Sequence, residues 1–114
     1  MAIYRLTEAA SEDVVGILRT SRAQFGSAAQ KRYRSLLIVA FKAIASDPQG
    51  PVMRDRSEIS EGLHSFHLRH AREAAGSERV TAPSHLIFYR SDHAGTIVIL
   101  RVLHERMDPA AHLS

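Results

Sequence analysis

The chain contains no cysteine, which removes disulfide frameworks and thiolate metal sites and fits a reducing cytoplasm. Long apolar runs are missing as well. The longest, Leu36 to Phe41, is six residues, far short of the ~18 needed to span a bilayer. The opening Met-Ala-Ile-Tyr-Arg-Leu lacks the charged-then-apolar build of a signal peptide. Glycine is scarce at six residues, and none of them forms a phosphate-cradling loop. Neither a His-Glu-x-x-His metal pair nor a Gly-x-Ser-x-Gly nucleophile elbow occurs. A strong charge of one sign is also absent: 15 basic residues face 12 acidic ones, a formal +3. The seven histidines add charge below about pH 6.5. Such a mild excess is compatible with nucleic acid or an acidic protein and requires neither.

What is present reads as one globular domain over residues 1–114, with an ordinary apolar fraction of 45%. Ile3 to Leu6 is a short strand candidate. Thr7 can cap a helix whose first turns carry Glu8, Glu12 and Asp13, where carboxylates favour the helix N-terminus. Ala10, Val14, Ile17, Leu18, Ser21 and Phe25 then recur at helical spacing, and Gly26 is the expected C-cap. Ser27 to Gln30 fits a capping box, opening a second helix with Tyr33, Leu36, Leu37, Ala40, Phe41 and Ile44 on one face. One residue between the two helices predicts a tight antiparallel hairpin. Asp47-Pro-Gln-Gly-Pro51 stops the second helix.

Residues 52 to 62 read as an irregular connection, Leu63 to Arg69 as a strand, and His70 to Pro83 as a long loop or extended hairpin. His85 to Arg90 and Thr96 to Leu103 form a hairpin turning through Ser91 to Gly95. The second of these strands is apolar on both faces, which belongs in a covered sheet. Asp108 caps a last turn from Pro109 to Leu113. Helices segregated from a mostly antiparallel sheet predict an α+β domain with the helical hairpin packed on one face.

His64, His67 and His70 recur every third residue, but on a strand they point to opposite faces. No metal site is expected there; solvated or edge-strand rings are the better reading. Arg69, Arg90, Arg101 and Arg106 fall on or just after sheet strands. A guanidinium such as that of Arg101, interrupting an apolar strand, either pairs with a carboxylate such as Glu61 or Glu105 or faces an anionic partner. His104, Glu105 and Arg106 together form a candidate acid/base cluster for RNA cleavage. The second helix also turns Ile38 and Val39 away from its core stripe, which suggests a second buried surface and hence a protein partner.

These residues resemble the toxins of the ParE/RelE superfamily of bacterial type II toxin–antitoxin systems. The likeness runs through Tyr4-Arg-Leu-Thr-Glu-Ala-Ala10, Phe25-Gly26, Asp47-Pro48, Gly62-Leu63, Leu86-Ile-Phe-Tyr-Arg90 and Ile99-Leu-Arg-Val-Leu-His-Glu-Arg-Met-Asp108. The ending looks like the ParE branch. The resemblance implies a helical hairpin over a small antiparallel sheet. For the ParE branch it implies a cytoplasmic, cofactor-free inhibitor of DNA gyrase acting in plasmid stabilisation and neutralised by a ParD-like antitoxin. On that reading Phe25, Tyr33, Ile38, Val39, Arg69, Arg90 and Arg101 meet the antitoxin, while Arg106 and His104 meet the target. Sequence-specific DNA binding is expected only through the antitoxin. The RelE branch instead cleaves mRNA on the ribosome. Its chemistry here would fall to His104, Arg90, Arg101 and Arg106, since no tyrosine lies in the terminal segment and the only lysines are Lys31 and Lys42. A third reading is an inactive remnant that only binds antitoxin.

Overall fold

The computed structural model of the chain describes residues 3–72 and 82–113. Strand β1 (Tyr4–Leu6) leads into helices α1 (Glu8–Phe25) and α2 (Ser27–Ser46). Four further strands follow: β2 (Arg54–Asp55), β3 (His64–His67), β4 (His85–Ser91) and β5 (Ile97–His104). A short helix, α3 (Ala110–Leu113), ends the described chain. The five strands lie in the order β1-β5-β4-β3-β2, with β1 parallel to β5 and every other pair antiparallel. This is the α+β arrangement that the segregation of helices from strands predicts. No helix among the described residues is long and apolar enough to cross a membrane.

Thr7 ties the first strand to the first helix. Its Oγ1 accepts the Ala10 amide at 3.0 Å and donates to the Leu100 carbonyl at 2.9 Å, while its own amide donates to Ile99. Gly26, at φ 92°, caps the end of α1 and also precedes α2, a backbone setting that suits glycine. The capping box expected from Ser27 and Gln30 does not form. Ser27 is already helical, and no side chain caps α2. The Gln30 amide instead donates to the Leu18 carbonyl at 3.2 Å and fastens the two helices together.

The apolar stripe of α2 packs as its spacing predicts. Tyr33, Leu36, Leu37, Ala40, Phe41 and Ile44 are all buried, in one layer with Ile87, Tyr89, Ile97, Ile99 and Val102 of the sheet. A smaller layer covers the opposite face: Leu63, Phe88 and Leu103, with Ile59 from the 52–62 connection and Leu113 from α3. The two layers explain why β5 is apolar on both faces. The connection between α2 and β3, expected to be irregular throughout, contains the two-residue edge strand β2.

Two expectations about the middle of the chain need correction. The strand expected over Leu63 to Arg69 ends at His67, and Leu68–Ala71 forms a 3-10 turn. The His67 side chain causes the break, because its Nδ1 accepts the Arg69 amide at 3.0 Å and caps the turn. Of the connection from His70 to Pro83, residues 73–81 lie outside the described residues. The β4–β5 ladder carries a bulge: Tyr89 faces Ile99, but Phe88 faces Arg101, which leaves Leu100 unpaired.

Candidate functional site

A groove runs between the hairpin and the lower ends of β4 and β5. Ile17, Phe25, Ala29 and Met107 form its apolar flank, and Tyr33, His85, His104, Arg32, Arg101 and Asp13 its polar floor. Phe25 is 72% exposed and Met107 48%, which is unusual for large apolar side chains lining one depression.

The floor is organised by the bulge, which sets His85 directly opposite His104. The two rings meet edge to face, 5.4 Å apart at 84°. Tyr33 reaches His85 from α2, its hydroxyl 2.6 Å from Nδ1, and it accepts the Ser84 amide at 3.2 Å. Burial raises the Tyr33 pKa, so the phenol stays protonated. Its single proton has His85 Nδ1 as the acceptor within reach, so the imidazole carries its own hydrogen on Nε2. Burial first, and the neighbouring His104 second, lower the His85 pKa to about 4. The ring is therefore neutral near pH 7.

The same logic fixes two more rings. His104 Nδ1 accepts the Arg106 amide at 3.1 Å, so in the neutral ring the proton sits on Nε2. His67 Nδ1 is taken by the Arg69 amide, and Nε2 donates to Glu105 at 2.7 Å. The hydrogen bond from His67 holds the Glu105 carboxyl below its ordinary range. His67 is thus buried and paired, not solvated as its position in the sequence suggests. His64 stacks on Tyr89 at 5.7 Å, and His70 packs against Phe66. Among the described residues no cluster of potential ligands is placed to hold a metal ion. With each Nδ1 occupied from inside, the rings lining the groove offer N–H donors to whatever enters.

Arg101 finds its carboxylate on α1. Its Nε and Nη2 donate to the two oxygens of Asp13 at 2.8 and 2.9 Å, and the Val102 amide donates to Asp13 Oδ2 at 3.0 Å. The partner is neither Glu61 nor Glu105. Strand β1 pairs with β5 only as far as Ile99, and Asp13 satisfies the sheet edge that β1 leaves open. The pair raises the Arg101 pKa further.

Of the residues singled out from the sequence, the groove brings together Phe25, Tyr33, Arg101 and His104. The others lie elsewhere. Arg90 is on the opposite face of the sheet, donating to Ser60 Oγ at 2.8 Å. Arg69 and Arg106 are exposed in the turns that follow β3 and β5. Val39 packs against the core, and Ile38 is exposed on the outer side of α2. Reading the sequence alone missed His85, Asp13 and Met107. The acidic first turns of α1 were legible, but the 88-residue reach from Asp13 to Arg101 was not.

A helical hairpin on a five-stranded sheet, with a groove flanked by exposed Phe25 and Met107, describes a small α+β protein with an open, partly apolar groove. The sequence matches, over residues 4–109, the family described as ParE toxin of type II toxin-antitoxin system, parDE. A relative from Escherichia coli, "Toxin ParE", is 28% identical over 114 residues, covering 100% of this chain and 95% of that protein. The chain belongs to the ParE toxin family.

Proposed function

We propose that this chain is the toxin of a type II pair, that it inhibits DNA gyrase by binding it in the cytoplasm, and that a ParD-like antitoxin neutralises it. Family membership supports a toxin with an antitoxin partner. The observation that carries the binding mode is the groove itself. Its exposed apolar flank suits a large side chain from an amphipathic segment, and its floor of N–H donors suits an acidic or amide group beside it. Phe25, Tyr33, Arg101 and His104 are the antitoxin or target contacts best supported by position; Arg69, Arg90 and Arg106 are assigned to peripheral contacts.

The rival reading is ribosome-dependent mRNA cleavage. It draws on His104, whose Nε2 has no partner among the described residues. Against it, His85 beside it titrates near 4, too low for a general acid at neutral pH. Arg101 is already committed to Asp13. Pulse-labelling of DNA and protein synthesis in the minutes after inducing the chain alone separates the two. An early fall in DNA synthesis with translation intact is expected. An early fall in translation, abolished by His104→Ala, assigns the ribonuclease instead. Harmless accumulation with neither effect identifies a non-toxic antitoxin-binding remnant.

A further inference from the structure

Beyond Asp13 the helical hairpin carries a charge imbalance, most of it away from the groove. Residues 14–46 contain six of the 15 basic residues and none of the 12 acidic ones. That segment stands at +6, and nine basic against twelve acidic residues leave the rest at −3. The six are Arg19, Arg22, Lys31, Arg32, Arg34 and Lys42, all exposed. No side chain among them has a hydrogen-bonding or ion-pair partner among the described residues.

Five of these cations share one face. On α1, Val15, Arg19 and Arg22 fall at i, i+4 and i+7; on α2, Lys31, Arg34, Ile38 and Lys42 fall at i, i+3, i+7 and i+11. The two stripes meet where Arg19, Arg22 and Arg34 border a single shallow depression with Val15 and Gln30. Arg32 turns to the groove instead. A carboxylate three or four residues from a helical cation stabilises the helix and offsets its charge. In this segment no carboxylate exists; of the two just before it, Asp13 is bound to Arg101 and Glu12 borders the groove.

The composition of the face selects the partner. Protein interfaces are anchored by buried aromatic and large apolar residues and are poor in lysine. Here Val15 and Ile38 are the apolar contribution, and the two stripes contain no aromatic. Single-stranded nucleic acid binds by stacking on aromatic side chains, which the face lacks. Duplex phosphates need only fixed cations. From Lys31 to Lys42 the α2 stripe spans roughly 16 Å at 1.5 Å per residue, a length of duplex carrying roughly ten phosphate charges.

We propose that the outer face of the helical hairpin is a sequence-independent docking surface for the phosphate backbone of double-stranded DNA, separate from the groove. Both surfaces can then be occupied at once. This inference stands whichever protein the groove receives.

The test is anisotropy of a labelled duplex of about 20 base pairs and scrambled sequence, titrated with the full chain between about 50 and 200 mM salt. Wild type is expected to bind with a log–log salt slope of about −4.5, as for five phosphate contacts. Arg19→Gln with Arg34→Gln should reduce the slope by about 2 and weaken binding at low salt by roughly tenfold. Lys31→Gln with Lys42→Gln should act in the same direction. Arg5→Gln with Arg54→Gln removes the same charge from exposed positions off the hairpin and should change little. Equal weakening by that control pair would reduce the effect to net charge and overturn the proposal. Absence of wild-type binding at about 50 mM salt overturns it too. Displacement of the duplex by poly-glutamate at equal charge reassigns the face to an acidic protein.

Discussion

At the scale of single residues, the polar floor shows what side-chain periodicity carries and what it omits. Tyr33 is legible as a core residue because it lies on the α2 stripe, and its ring is buried there. Its hydroxyl is invisible to periodicity, yet that atom fixes the tautomer of His85, whose protonation is set mainly by burial. The consequence for stability has a definite sign. The His85 pKa is about 4 in the folded chain and about 6.5 when unfolded. Above pH 6.5 neither state is protonated; between about 6.5 and 4 only the unfolded chain takes the proton. Stability should therefore fall as pH drops through that window and level off below it. The loss is on the order of 1–3 kcal/mol after allowance for solvent screening. Urea unfolding at pH 7.5 and pH 5 captures the larger part of it, and His85→Gln should flatten the dependence. Tyr33→Phe should cost about 1 kcal/mol at neutral pH and move the His85 ring titration, followed by NMR, upward. A wild-type ring that titrates near 6.5 contradicts the assigned network.

At the scale of elements, both long helices and the strands β1, β4 and β5 were readable from spacing and punctuation. Thr7, Gly26 and the Asp47–Pro51 run mark boundaries by local chemistry, which sequence records directly. Registers are different, because they depend on ladder irregularities that no local signal announces. Continuing the Tyr89–Ile99 register without the bulge would set His85 opposite Leu103. The unpaired Leu100 shifts the pairing by one residue, which brings His85 to His104 and turns Arg101 towards α1. The contact that holds this arrangement is Asp13, which satisfies a guanidinium and a backbone amide together. Asp13→Ala should cost about 2–4 kcal/mol, since it orphans both. Asp13→Asn keeps an acceptor for one of them and should cost less. Equal stability of Asp13→Ala and wild type in urea would show that the pair does not secure α1 to β5.

At the scale of the whole molecule, the hairpin presents two unlike surfaces on opposite sides of the same helices. One is the groove, apolar at Phe25 and Met107 with N–H donors behind; the other is the cationic face around Arg19 and Arg34. Excess apolar residues on α2 suggested that Ile38 and Val39 receive the antitoxin. Val39 packs against the core, so replacing it with Asp tests folding before it tests binding. Ile38 stands alone among cations, and an isolated aliphatic contact contributes little to an interface. Phe25 and Met107 instead converge on one depression, as anchoring side chains do. Replacing both with alanine should weaken antitoxin binding by roughly 30-fold or more, a loss of about 2 kcal/mol or greater. Both are exposed in the free chain, so its unfolding midpoint should hardly move. Ile38→Asp should weaken the complex less, and Arg19→Gln with Arg34→Gln less still. Calorimetric titration of each variant with the antitoxin compares them directly. The opposite ranking, with Ile38→Asp the more damaging, would move the antitoxin onto the outer face, where it would compete with DNA.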